Sequence, residues 1–284
     1  EGLVKTATLF VGVKELGDAE FRTEVAKITG EIDFKRIEQM EAKGNWKEAG
    51  DAYAAYYKKN PTGNLSEKSL YNAYVSYDKA NEPGLASDTA KLFLAKFPKS
   101  EYSKSFILKL ARSAEQQYDF DLAQKQYHEF YKRFPEDKEA RKSLYNAAVF
   151  AELLEYNKLA MDLYDEYLKK GRPGQEEARA IQISQAKLHR KLGNWDGMTK
   201  IYRRMMREAR SEGEKLSYLG ELARQYERAG KMTERRAIMD EIRWKWDGKH
   251  AKDSGFAAQY AAESNFQAIA KDRQKYEELR PRFP

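Results

Sequence analysis

The sequence predicts an all-α protein, a solenoid of about seven stacked helix pairs. Three observations predict it. Ala, Leu, Lys, Glu, Arg and Tyr dominate the 284 residues while prolines number only 7, so helix is favoured almost everywhere. Small, bulky and proline columns recur every 37 residues, and a fixed period of that length marks a repeat architecture. Within each period the apolar residues step by three and four, the spacing of one helix face.

The elements follow in order. Residues 1–30 read as an N-terminal helical segment, from about Val4 to Gly30. Residues 31–172 hold repeats 1 to 4. Each has a helix A, such as the stripe Leu70, Ala73, Tyr74, Tyr77, and a helix B, such as Ala49, Tyr53, Tyr56, Tyr57. Helix B opens on a small residue, Ala49, Ala86, Ala123 and Ala160, which lets it lie close against helix A. It carries Tyr56, Phe93, Phe130 and Tyr167 in one bulky column, and Tyr53, Tyr127 and Tyr164 in another that only Ala90 interrupts. Pro61, Pro98 and Pro135 stop it, because proline removes a helical N–H and clashes with the preceding turn. Between A and B, Gly44-Asn45, Asn81 and Asp119 are residue types suited to a tight reversal.

Residues 173–284 continue as repeats 5 to 7 after a one-residue slip, expected in the KKGRPG stretch at 169–174. The turn GNW at 44–46 returns at 193–195, and Met198 stands where the alanine is expected, 38 residues after Ala160. Leu219, Ala223, Tyr226 and Gly230 mark repeat 6 and Arg235 its small-residue position. Ala257, Tyr260 and Asn265-Phe266 to Pro281 mark a seventh unit. The net charge of +7 belongs to this part: residues 1–170 hold 27 Lys and Arg against 28 Asp and Glu, residues 171–284 hold 25 against 17.

With small residues at Ala86 and Ala123, aromatics at Phe93 and Tyr127, prolines at Pro98 and Pro135, and YLGELARQYERAGK at 218–231, nearly the whole chain resembles tetratricopeptide repeats. It departs in its 37-residue period and in the bulky Ile37 and Tyr74. The resemblance implies a right-handed α-α superhelix with a concave face lined by helix A, used to bind peptides or proteins. FPKSEYSKSFILKLA at 97–111 and YDFDLAQKQYHEFYKRFPEDKEA at 118–140 are similar to repeats of bacterial envelope proteins: an outer-membrane assembly lipoprotein, the Tol-system coordinator and gliding-motility scaffolds. That implies the periplasm or the outer-membrane periphery, with the cytoplasm as the alternative.

Under the family register the concave face carries an apolar column, Phe34, Tyr71, Leu108 and Tyr145, and an acidic column, Glu41, Asp78, Glu115 and Glu152. Acids near a helix C-terminus oppose its dipole, so four in register call for a compensating partner, within the array or on a basic ligand with apolar anchors. The family's clamp for acidic C-terminal peptides needs Lys and Asn where this chain has Phe34 and Glu38, which excludes that mode. In the second part Lys187, Arg190, Arg203, Arg207, Arg210 and Arg224 form a basic contact patch, either a solvated face or a contact for an acidic partner, phosphate or an anionic surface. Trp244 aligns with Lys58, Lys132 and Lys169 and is either covered by the seventh unit or an interface anchor. Trp246 aligns with Phe97 and Phe134 and is expected in the core.

No catalytic set is legible. The 3 histidines are scattered, His128 lacks the second histidine that a zinc-binding helix places four residues on, and there is no Gly-x-Ser-x-Gly elbow. No cofactor, metal or small-molecule substrate is expected, and no run is long enough to span a membrane. The absence of cysteine fits the cytoplasm and the periplasm alike. The chain opens on Glu1 and reads as a mature protein or part of a longer one. The reading is a non-enzymatic protein-binding scaffold. The alternatives are a helical accessory module of a larger enzyme such as a lytic transglycosylase, or nucleic-acid binding by the basic part.

Overall fold

The structure, a computed structural model, describes residues 19–250, 252 and 254–279. They form thirteen α-helices and no strand. Helix α1 is Ala19–Ala42, α2 Trp46–Lys59, α3 Ser66–Lys79, α4 Pro83–Lys96, α5 Ser103–Gln116, α6 Phe120–Arg133, α7 Ala140–Leu153 and α8 Asn157–Lys170. Then follow α9 Gln175–Lys191, α10 Trp195–Arg207, α11 Glu212–Arg228, α12 Met232–Lys245 and α13 Ala257–Leu279. The expected N-terminal stretch from Val4 falls outside the described residues up to residue 18. From Ala19 onwards it is part of α1, which runs unbroken through Gly30 into the first helix A.

Odd-numbered helices are A and even-numbered ones B, giving six pairs and a final α13. The last unit differs from the expected pair: Asn265-Phe266 does not turn, and α13 continues as one helix of 23 residues. Nothing in its sequence breaks it, because AAESNFQAIAKDRQKYEEL lacks glycine and proline.

The period has a mechanical origin. From α2 to α8 every helix has 14 residues. Three-residue A-to-B turns and six-residue B-to-A loops complete the 37. The B helices α2, α4 and α6 each end one residue short of a proline. Asn60, Phe97 and Phe134, which precede those prolines, share φ near −130° (−130°, −125° and −133°), because the proline ring disfavours helical backbone at the residue before it.

Each A helix from α1 to α11 closes through one motif. The residues at 44, 81, 118, 155, 193 and 230 all have positive φ, and the next residue's N–H reaches back five residues, as Asn45 to Met40 and Asp119 to Ala114. These are Schellman closures. Glycine fits there without strain at Gly44, Gly193 and Gly230, whereas Tyr118 and Glu155 adopt it as exceptions. Asp119, expected to supply the reversal, instead caps α6 by accepting the Leu122 N–H at 3.1 Å.

The one-residue slip is real but is not an enlarged loop. The loop before α9 has four residues in place of six, while α9 has 17 in place of 14, a net gain of one.

Contacts group the chain into two compact units, residues 1–150 and 151–284, with the division inside α7. In the first, α3 packs on α2 and α4, and α5 on α4 and α6, around Tyr53, Leu70, Phe93, Phe106 and Leu110. In the second, α11 packs on α10, α12 and α13, around Met198, Tyr202, Leu219, Ile242 and Tyr260. The alanine column lies at these seams: Ala49, Ala123 and Ala160 are completely buried. Ala123→Leu is therefore expected to overpack the α5–α6 contact and lower stability by about 1–3 kcal/mol, measured as the shift of a urea unfolding midpoint. In the second unit Met198, also fully buried, takes the alanine's place, and Gly197 beside it makes room for the ring of His189, which a Cβ would meet at 2.6 Å. The two GNW turns match in detail: Lys79 covers Trp46 at 4.0 Å from the ring centre and Lys231 covers Trp195 at 4.9 Å, each from the following repeat.

Candidate functional site

In the first unit the expected apolar column divides. Phe34 is 3% exposed and packs on Tyr53 and Tyr56 of its own helix B, with ring centroids at 5.1 and 5.5 Å. It leaves no surface for a ligand, a correction to its expected role. Tyr71, Leu108 and Tyr145 are half-buried on α3, α5 and α7. Tyr71 packs against Tyr102 at 4.4 Å and Phe106 at 5.8 Å, so it joins adjacent repeats while part of its surface stays accessible.

The acidic column is used inside the array. Tyr53 Oη donates to Glu41 Oε2 at 2.9 Å, Tyr127 Oη to Glu115 Oε2 at 2.6 Å and, in the second unit, Tyr164 Oη to Glu152 Oε2 at 2.7 Å. Glu41 accepts a second bond from Ser76 Oγ at 3.1 Å. Each tyrosine stands twelve residues after its acid, on the facing helix B. A buried hydroxyl needs an acceptor, and a carboxylate is a strong one. As ligand-binding acids, Glu41, Glu115 and Glu152 are thus corrected to internal partners. Asp78 is the exception: twelve residues on stands Ala90, and the Asp78 side chain is exposed. It lines an open cavity of about 240 Å³ between α3, α4 and α5, with Tyr74, Lys109 and Arg112. That is below the usual size of a small-molecule site, roughly 300–1,000 Å³.

In the second unit the basic residues have several fates. Arg203 grips Glu241 with two bonds, Nη1 to Oε1 at 2.7 Å and Nη2 to Oε2 at 2.6 Å, and is a structural ion pair. Arg210 lies beyond the end of α10 and engages Gln175 and Glu176. Arg224 sits 3.4 Å from Glu221 and 4.4 Å from the centre of the Phe256 ring. Lys187 and Arg207 are exposed. Arg190 is half-buried, and its Nε is buried without an acceptor. Trp246 packs against the core, as its alignment predicts, while Trp244 is 81% exposed and uncovered by α13.

Burial is the main influence on the titration of Tyr74 and Tyr218. Tyr74 is pushed up to about 12 by burial and then by the charge of Asp78. Tyr218 is pushed up to about 12 by burial and then by its bond to Glu214. Folded values above the unfolded value of 10.0 mean that the neutral phenols contribute stability in full below pH 10. That stability is lost as the pH rises from 10 through 12. Phenolate absorbance of the folded protein should therefore rise later than in denaturant, with the melting point falling over that window. Coincident titrations would contradict the burial of these rings.

Among the described residues no helix is long and apolar enough to cross a membrane, and no group of three or more His, Cys, Asp or Glu could hold a metal ion. His189 is half-buried, and burial followed by the opposing field of Asp165 leaves its pKa lowered.

No protein-family model and no curated protein matches the chain. Among solved structures, a chain of the Naa15/Naa10 assembly bound to HypK-THB is similar, with a TM-score of 0.54, 16% identity and coverage of 86% of this chain and 35% of that one. A tetratricopeptide repeat protein from Parabacteroides merdae matches over 89% of this chain and 94% of its own, at 17% identity and a TM-score of 0.37. Pseudomonas aeruginosa pilF matches over 84% and 97%, at 13% identity and a TM-score of 0.33. At these identities the likeness concerns the fold alone, and it is the first of the three that carries it.

Proposed function

We propose that the chain is a non-enzymatic protein-interaction scaffold that holds a peptide or partner protein on its helix A face. The observation that carries this reading is the recurrence of the half-exposed Tyr71, Leu108 and Tyr145 at the same position of three successive A helices. A stacked array offers such a column to an extended ligand as a row of equally spaced apolar contacts. The partner has apolar anchors. A basic residue in it finds one acid of the column that holds no tyrosine hydroxyl, Asp78, since Glu41, Glu115 and Glu152 already hold theirs. Asp78→Lys should then weaken binding with stability unchanged. Reversing Glu115 would lower stability first and say nothing about the ligand.

The setting proposed is a bacterial envelope or motility complex, in the periplasm or at the outer-membrane periphery. It is supported by the wording of residues 97–111 and 118–140. Fractionation of native cells tests it, and recovery of the protein with cytoplasmic markers would overturn it.

The face itself is tested by photo-crosslinking. A benzophenone amino acid at Tyr71, Leu108 or Tyr145 should capture one and the same partner in cells. The same group at Lys58 or Lys132, exposed on B helices, should not. Capture only from the B positions would place the ligand elsewhere.

A further inference from the structure

The pairing of acid and tyrosine identifies a position where the array is one carboxylate short. In repeat 5 the tyrosine is kept: Tyr202 follows Tyr164 by 38 residues, the period plus the slip, and is completely buried. Twelve residues before it, where the other repeats place Glu41, Glu115 and Glu152, stands Arg190. The Tyr202 hydroxyl has no hydrogen-bond partner, and neither has the buried Nε of Arg190. Two buried donors thus stand where the register supplies an acceptor elsewhere, and leaving such groups unpaired is costly.

The surrounding charge has the matching sign. Arg190, Arg224 and Arg228 all bring positive charge to bear on Tyr202, against a single carboxylate, Glu221. Glu221 is already engaged, accepting from Gln225 Nε2 at 2.6 Å and lying 3.4 Å from Arg224 Nη1. Burial raises the pKa of Tyr202, so its phenol stays protonated and remains a donor.

We propose that this position, between the end of α9, the middle of α10 and the end of α11, is a seat for one carboxylate of a partner protein, an Asp or Glu side chain. The chemistry is that of the array's own solution, since Glu41, Glu115 and Glu152 hold the equivalent hydroxyls at 2.6–2.9 Å. In repeat 5 the acid comes from outside, and Arg190 with the Tyr202 hydroxyl receives it. Arg190 is half-exposed and can turn to meet the incoming group. This inference rests on the reading of the chain as a protein-binding scaffold and assigns the second unit an acidic partner segment.

The first test needs no ligand. Arg190→Glu restores the missing acceptor and should raise the melting temperature by about 2–4 °C, the shift expected of one good hydrogen bond in an array of this size. Tyr202→Phe should leave it unchanged or raise it, because the hydroxyl it removes is unpaired. Tyr127→Phe, which removes a paired one, should lower it. A drop for Tyr202→Phe equal to that for Tyr127→Phe would mean that the hydroxyl is satisfied already, and would overturn the proposal.

The second test uses a fluorescein-labelled, terminally blocked peptide of alternating Glu and Leu, read by anisotropy on the full chain. Wild type should bind it, Arg190→Glu about 10-fold more weakly, and the Gln version of the peptide should bind wild type as weakly. No binding at millimolar peptide, or equal binding by Arg190→Glu, would overturn the proposal. Displacement by millimolar inorganic phosphate or by phosphatidylglycerol vesicles, but not by free glutarate, would reassign the seat to a phosphate group. If the seat fails while the crosslinks from Tyr71, Leu108 and Tyr145 still form, the scaffold reading stands without it.

Discussion

Phe106→Ala should destabilise the first unit by about 3–5 kcal/mol, the usual effect of deleting a large aromatic from a packed core. Phe106 is 1% exposed on α5 and reaches across the seam between repeats. Its ring stacks on Phe93 at 4.2 Å with an interplanar angle of 7°, and meets Tyr74 at 4.8 Å and Tyr71 at 5.8 Å. One truncation therefore loosens α3, α4 and α5 together. The expected loss is a large share of a typical domain's stability, about 5–15 kcal/mol. Urea unfolding should show it, and hydrogen exchange should show faster opening of those three helices than of α9 to α12. A change below about 1 kcal/mol would mean that the seam is not packed as described.

The second large effect concerns the acid and tyrosine pairs. Glu115→Leu leaves the hydroxyl of Tyr127, a residue only 3% exposed, without its carboxylate, and should cost about 1.5–3 kcal/mol. Tyr127→Phe alone should cost about 1 kcal/mol. The double variant should be clearly more stable than the sum of the two losses predicts, because the unpaired donor is gone. A double-mutant cycle on urea midpoints gives the coupling directly. Strict additivity would show that the two groups do not interact, and Glu115 would again be an acid free to meet a ligand. The opposite sign at Tyr202, whose hydroxyl has no acid bonded to it, makes the comparison internal to one protein.

Most of the architecture was legible because solenoid packing is local. Each helix meets its sequence neighbours, so the 37-residue columns of Ala, bulky residues and Pro report stacking contacts almost directly. The slip after residue 170 was visible as a number, but its form was not. Gly and Pro in GRPG suggested a longer loop, whereas the acidic start of α9 at Glu176 and Glu177 supports an extra helical turn at the positive end of the helix. The final pair was misjudged because the register continued in Ala257 and Tyr260, yet no turn residue follows within α13.

The candidate site was legible only as separate columns. The acids and the tyrosines were each visible at the 37-residue step, and so was the gap at Ala90. What joined them was hidden, since twelve residues is no helical spacing and becomes a contact only after the Schellman turn folds helix B back onto helix A. The same turn makes Arg190 and Tyr202 neighbours and gives the substitution in repeat 5 its meaning. Phe34 was misplaced for a simpler reason. It is the first member of the apolar column, and the aromatic pair Tyr53 and Tyr56 on its own helix B encloses it. The later members, Tyr71, Leu108 and Tyr145, remain partly open.

Whether the helix A face holds a partner is decided most directly by the identity of what crosslinks to it. Benzophenone at Tyr71, Leu108 and Tyr145 should capture a single partner through one contiguous segment carrying apolar residues, and Asp78→Lys should weaken this capture. Crosslinks that scatter over unrelated proteins, or that form from the B helices and not from these three positions, would contradict it.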